Sequence, residues 1–294
     1  MEEMAGYAFM AGFLATGIAL AAYAAYAISG VRAARLRSAG APLDAPRVGF
    51  VAGSRTAAIG QYASLVVILA AGLITASLVF RTLASGHGPF ANMYEFSVAF
   101  AWGILVVLAW FEHRYRQRLL GLVALPVAFG LMAYALTIPS TIEPLVPALQ
   151  NSLLLTVHVA VAIVAYGSFT VAFASAVLHL AQPEAGRWGL PRPAALNEIG
   201  YRSIVVGFPF LTLTIVLGAL WAEVAWGRYW GWDPKETASL VTWLIYGAYL
   251  HARVVRGWRG RRAAILLVVG FAATLFTFFG VNLLLPGLHS YSGL

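Results

Sequence analysis

The stretch from Trp221 to Trp243, WAEVAWGRYWGWDPKETASLVTW, sets five tryptophans among the cations Arg228 and Lys235 and the acids Glu223, Asp233 and Glu236. Indole and phenol rings gather at membrane interfaces simply because they are amphipathic. Such a belt has no need of Asp233, Pro234, Lys235 and Glu236 embedded in it, nor of Trp226, Tyr229, Trp230 and Trp232 packed into so short a run. The pattern reads as a platform for something flat and partly charged. Two histidines remote in sequence share its depth: His158, about two turns inside the fifth apolar run, and His289, just past the last one.

Heme meets these requirements. Its iron takes two imidazoles along one axis, its macrocycle offers an apolar face to indoles, and its propionates need cations at one edge. His158 and His289 are the candidate axial ligands. Arg228 and Lys235 are the candidate propionate partners, the alternative being that they pair with Glu223, Asp233 or Glu236. A lone interfacial histidine is more often a satisfied polar group than a ligand, so the argument rests on convergence. His251 follows Thr237 by about 21 Å of helix at ~1.5 Å per residue, which puts an ionisable ring in the opposite half of the bilayer. At that depth it either serves function or snorkels toward Arg253. His87, His113 and His179 read as interfacial polar residues and are left out of the site. No residue reads as a catalytic acid or base.

The elements that position these residues are membrane helices. Hydrophobic residues make up 61% of the 294 and charged ones 10%, with mean hydropathy +0.81, a balance that a soluble core does not need. Eight runs are long enough to cross a bilayer as helices: approximately 5–29, 58–80, 93–112, 119–138, 152–181, 204–222, 237–255 and 263–285. None alternates as a barrel strand would. The expectation is all-α: a polytopic bundle of about eight transmembrane helices, residues 1–294 forming one membrane domain and 222–236 an outer loop. The acids of MEEM make the first run a permanent span. An amphipathic tail within 182–203 reads as a short interfacial helix.

Of the 19 lysines and arginines, all but Arg81, Arg228 and Lys235 fall in the 1–2, 3–4, 5–6 and 7–8 loops. The positive-inside rule then turns both termini and the tryptophan loop outward, to the periplasmic side of a bacterial plasma membrane. The formal charge of +8 is topological and argues for no nucleic acid. The absence of cysteine excludes disulfides and thiolate chemistry from this chain, so any thiol must come from a partner.

The stretch LNEIGYRSIVVGFPFLTLTIVLGALWAEVAWGRYWGWDPKETASLVTWLIYGAYLHAR resembles the cytochrome c biogenesis proteins of the CcsA/ResC type, a heme-handling superfamily marked by a tryptophan-rich WWD segment. FANMYEF before the third run, TVHVAVAIVAYGSF in the fifth and LHSYSGL at the end are similar to it too. Ala238 and Glu223 depart from the usual pattern. The resemblance implies a heme b channel and holocytochrome c synthase subunit acting with a Ccs1/ResB-type partner and a CxxCH apocytochrome c. It implies that His158 and His289 hold heme iron at an outer site and that His251 serves an inner one, its opposing ligand coming from the partner. The alternative is a carrier that passes heme to a separate ligase.

Overall fold

The computed structural model describes residues 1–38, 53–142, 152–183, 189–285 and 287. The described residues are helical, with no strand among them. In chain order they form α1 (Glu2–Ser38), α2 (Ser54–Ser85), α3 (Met93–Tyr115), a 3-10 turn (Arg118–Leu120), α4 (Gly121–Ala135), α5 (Ser152–Leu180), α6 (Pro193–Trp226) and α7 (Pro234–Val254). The last passage is α8 (Arg261–Leu275), a π-helical turn (Phe276–Gly280) and α9 (Val281–Leu284). Seven helical segments are long and apolar enough to cross a membrane. The expected eighth is α7, which matches the run 237–255 but is diluted by Thr237, Ser239, Thr242, His251 and Arg253. The expected interfacial helix within 182–203 is not separate: from Pro193 onward its residues are the first turns of the 34-residue α6. Pro193 stands in the first turn, where its missing N–H costs nothing, and no breaker interrupts the path into the span.

α1 and α2 form one antiparallel pair and α5 and α6 another, while α5 also packs on α3, α4 and α8. With 72% of its apolar window buried, α5 is the centre of the bundle. Lipid gives apolar helices little reason to associate, so close contact depends on small residues. At the α3–α5 crossing a Cβ on Gly167 would lie 2.9 Å from the Gly103 carbonyl oxygen, and one on Gly103 would lie 2.2 Å from Ile163.

The bundle has two distinct ends. At one end lie the start of α1, the α2–α3 turn, the tryptophan loop and Gly287. Ser77 Oγ donates to Ala5 O at 2.8 Å there, and Phe9 packs on Tyr94 with centroids 5.6 Å apart. The other end carries the arginine-rich turns. Arg81, grouped by sequence with Arg228 and Lys235, is buried at the first end. Its Nε meets Glu95 Oε1 at 2.5 Å, its other nitrogens donate to Ser140 O and Thr141 O, and its guanidinium lies over the Tyr94 ring. Asn92 caps α3 by accepting from Glu95 N at 3.0 Å, and Glu95 returns to Ala91 N at 2.6 Å. FANMYEF is therefore a helix start locked to α2.

Breaking one partner of a buried ion pair strands the other. Glu95→Gln should therefore lower the unfolding free energy by about 3–5 kcal/mol, read as loss of thermal stability in detergent. Arg202→Gln, which removes the exposed Arg202–Glu198 pair on α6 and leaves Glu198 to Arg253, should leave it unchanged within error.

Candidate functional site: an aromatic cavity under the tryptophan loop

A cavity with about 1050 Å³ of empty space, its open mouth included, lies at the end that carries the tryptophan loop. α3 lines it with Met93, Phe96 and Phe100, and α5 with Leu155, His158, Val159, Ala162 and Tyr166. α6 gives Thr214, Ile215, Gly218, Ala219 and Trp221; the loop gives Tyr229 and Trp230; α7 gives Lys235, Glu236 and Ser239. Thr277 and Phe278 of the π turn and Asn282 of α9 complete it.

His158 is held in the wall because α6 has no side chain opposite it. A Cβ on Gly218 would lie 2.9 Å from His158 Cε1. Spacing of i, i+4 and i+8 puts His158, Ala162 and Tyr166 on one face of α5, a signal that the sequence carried for Tyr166 and that went unread. The π turn widens the facing helix by one residue, with Val281 N–H bonded to Phe276 O. Such turns recur at functional sites. Thr277 Oγ1 lies 3.1 Å from Thr242 Oγ1 and joins this turn to α7.

The loop is built by the start of α7. Asp233 Oδ1 accepts from Lys235 N at 3.0 Å, and Glu236 Oε2 accepts from Gly231 N at 2.8 Å and Asp233 N at 3.1 Å, a capping box with Pro234 in the first turn. The two N–H groups that Glu236 takes flank Trp232, whose φ is +56°. A bulky residue there is strained, and the paired bonds on either side hold it. Trp232 is 69% exposed and meets Trp230 edge-on, with centroids 5.8 Å apart. Trp226 belongs to α6 and packs edge-on against buried Trp221 at 4.7 Å. Arg228 is exposed and folds over Gly231, outside the cavity lining.

Lys235 does line the cavity. Its Nζ donates to Asn282 Oδ1 at 3.1 Å, and Asn282 Nδ2 donates in turn to Phe278 O at 2.6 Å. It precedes the membrane-crossing part of α7, and burial pushes its ammonium down to about 8, Asp233 partly opposing. Gly287 closes the same corner, since a Cβ there would stand 2.6 Å from Asp233 Oδ2. His289 lies outside the described residues. His251 is exposed in the last turn of α7, at the far end and outside the cavity. His87 Nδ1 lies 2.9 Å from Gly88 O, and His179 Nδ1 lies 3.3 Å from Pro193 O, tying α5 to α6.

Of the expected residues, the structure thus gathers His158, Tyr229, Trp230 and Lys235 around one space. Met93, Phe96, Phe100, Trp221 and Asn282 join them without having been singled out.

The fold and cavity define a polytopic helical membrane protein that sets an imidazole into an aromatic, cation-edged pocket. Residues 90–289 match the family described as Cytochrome C assembly protein. The cytochrome c biogenesis protein CcsA of Microcystis aeruginosa is 38% identical, the match covering 74% of this chain and 83% of that one. CcsA of Gloeobacter violaceus is 37% identical, covering 80% and 87%. Among solved structures, cytochrome c heme lyase CcmF superposes with a TM-score of 0.58 at 20% identity, over 91% of this chain and 46% of that one. The chain belongs to the cytochrome c assembly family and is of its CcsA type.

Gly218→Val should drive the His158 ring out of its seat and cost about 1–3 kcal/mol through overpacking. Gly130→Ala on α4, where a Cβ meets nothing within 4 Å, should leave stability unchanged or slightly raised. Unfolding of both variants in the same detergent checks the contrast.

Proposed function

We propose that this chain is the heme-handling membrane subunit of a cytochrome c synthase, holding heme b at the cavity end with His158 and His289 as axial ligands. The supporting observation is His158 itself, an imidazole in the wall of an aromatic pocket whose lining also includes the Lys235 ammonium. The apolar lining suits a porphyrin face, Tyr229 and Trp230 supply rings to stack on it, and Lys235 and Asn282 offer donors to a propionate. Arg228, exposed beside the loop, would reach a second carboxylate from outside.

Heme is the substrate here. Each cysteine thiol of a CxxCH apocytochrome adds across one vinyl group. A C–S bond forms and the S–H hydrogen passes to the neighbouring vinyl carbon, so no oxidant or leaving group is needed. The work left to this chain is positioning, which turns an encounter into a near-intramolecular step. The strained and clamped Trp232 holds the loop in one shape, in keeping with a surface organised before its substrate arrives.

In this reading the cavity end faces the periplasm, with the arginine-rich turns on the cytoplasmic side of a bacterial plasma membrane. His251, exposed at that cytoplasmic end, would serve an inner heme site with an opposing ligand from a Ccs1/ResB-type partner. The same arrangement without covalent attachment would make the chain a carrier that delivers heme to a separate ligase.

With the partner co-purified, His158→Ala and His289→Ala should each lower heme retention by about tenfold or more, the scale of substitutions at metal sites. Added imidazole should restore part of it. Wild-type absorption spectra and cytochrome yield in both variants would overturn the ligand assignment, and heme retained without covalent cytochrome would select the carrier. Carboxylate recognition by Lys235 has its own signature. Its ammonium titrates near 8 in the free site and must be charged to hold a carboxylate. Binding of iron-free protoporphyrin IX should therefore be flat below pH 8 and weaken by up to about tenfold per unit above it. Lys235→Arg should hold affinity level to higher pH, and an unchanged profile in that variant would remove Lys235 from the recognition.

A further inference from the structure

The end of the bundle away from the tryptophan loop holds a second cleft, between α2 and α3, with about 610 Å³ of empty space including its opening. Val67 and Ile68 of α2 and Ala109 of α3 give it an apolar wall; His113, Arg116 and Arg118 give it a basic rim. Nothing in the synthase reading uses it.

One acid, Glu112, also lines the cleft, but its oxygens are engaged from within the bundle. Tyr23 donates its hydroxyl to Oε2, and Ser64 Oγ lies against Oε1. Arg118 Nε reaches Oε1 at 3.3 Å and Ser64 Oγ at 3.1 Å. Arg118 is thus tied to α1, α2 and α3, its side chain meeting Tyr26 as well, and it remains 27% exposed at the cleft. Arg116 is exposed, and among the described residues its side chain has no ion pair or hydrogen bond. Its backbone is fixed in the left-handed region at φ +55°, with N–H to Glu112 O at 2.8 Å, so the turn that presents it is set. Arg116 therefore brings to the cleft a positive charge that no acid among the described residues answers, directly above an apolar wall.

That wall continues onto the lipid-facing surface of α2, where Leu65, Ile68 and Leu69 are 65%, 58% and 56% exposed. A soluble anion would gain from the rim and nothing from the wall. A ligand with a phosphate and a hydrocarbon tail gains from both. We propose that this cleft is a binding site for an anionic phospholipid, its phosphate held by Arg116, Arg118 and His113 and one acyl chain lying along Ile68 and Ala109. Basic pockets between membrane helices hold lipid headgroups by this combination. Seated there, the lipid would bridge the α1–α2 pair to α3, which carries one wall of the cavity under the tryptophan loop.

The test uses the full chain in phosphatidylcholine nanodiscs titrated with phosphatidylglycerol, bound lipid being counted by native mass spectrometry. Arg116→Asn removes the charge and keeps a side chain that tolerates the left-handed backbone; it should weaken phosphatidylglycerol binding about fivefold, the share of one basic residue near a membrane surface. Arg114→Gln makes the same charge change two residues away, outside the cleft lining, and should bind as wild type. Ile68→Trp fills the apolar part without touching charge and should also weaken the lipid. Equal losses in Arg114→Gln and Arg116→Asn would mean a diffuse basic surface and overturn the proposal. So would displacement of the lipid by excess inorganic phosphate, which would make the site one for a free anion. Unfolding temperatures in phosphatidylcholine alone confirm that the variants are folded.

Discussion

Everything at the cavity depends on how closely α6 can lie along α5. Three glycines of α6 face it in turn. A Cβ on Gly200 would lie 2.7 Å from Ser175 Oγ, one on Gly207 2.7 Å from Phe169, and one on Gly218 2.9 Å from His158. In hydrocarbon this contact is van der Waals packing and little else, and packing weakens steeply with separation. The Gly103–Gly167 crossing holds α5 to α3 from another side. α5 is therefore gripped on two faces, and the depth and direction of His158 follow from that grip. An imidazole could be written into many membrane helices. One seated in a cavity wall needs a neighbouring helix that yields it space.

The tryptophan loop is ordered by a different means, electrostatics at a helix start. Asp233 is 6% exposed and Glu236 lines the cavity, yet their oxygens bond to backbone N–H groups of the loop and the first turn. These acids shape the loop more than they touch a ligand. Clamping Gly231 and Asp233 to one carboxylate oxygen turns Trp232 outward and leaves Trp230 on the cavity side. The rings so placed are of two kinds, Tyr229 and Trp230 lining the pocket and Trp232 exposed outside it.

Hydropathy carried the helices, because the cost of an unbonded backbone in lipid leaves few alternatives, and seven of the eight expected spans stand as apolar helices. α7 was read from the run 237–255 like the others, yet it is the least apolar of them, since hydroxyls of Thr242 and Tyr246 serve contacts with the π turn and α8. The aspartate and glutamate three residues apart in DPKE spelled a capping box. The aromatic chemistry around them drew attention to the ligand instead. Tyr166 could have been found from its helical spacing to His158. Met93, Phe96 and Asn282 could not, because their place in the lining depends on how α3 and α9 dock, and a π turn leaves no pattern in FTFFG. Arg81 shows the limit of counting charges, since position alone groups it with Arg228 and Lys235, whereas Glu95 holds it inside the bundle.

Sequence leaves three cations at the cavity end, and the fold neutralises Arg81 with a buried carboxylate, lays Arg228 over the loop backbone, and encloses Lys235 until its ammonium is no longer firmly charged. Arg228 stays exposed, and apart from it and Arg81 the described arginines stand at the opposite end. The same scarcity of fixed charge keeps the cavity a weakly screened environment, where one ammonium and one imidazole act over longer distances than they would at a solvated surface.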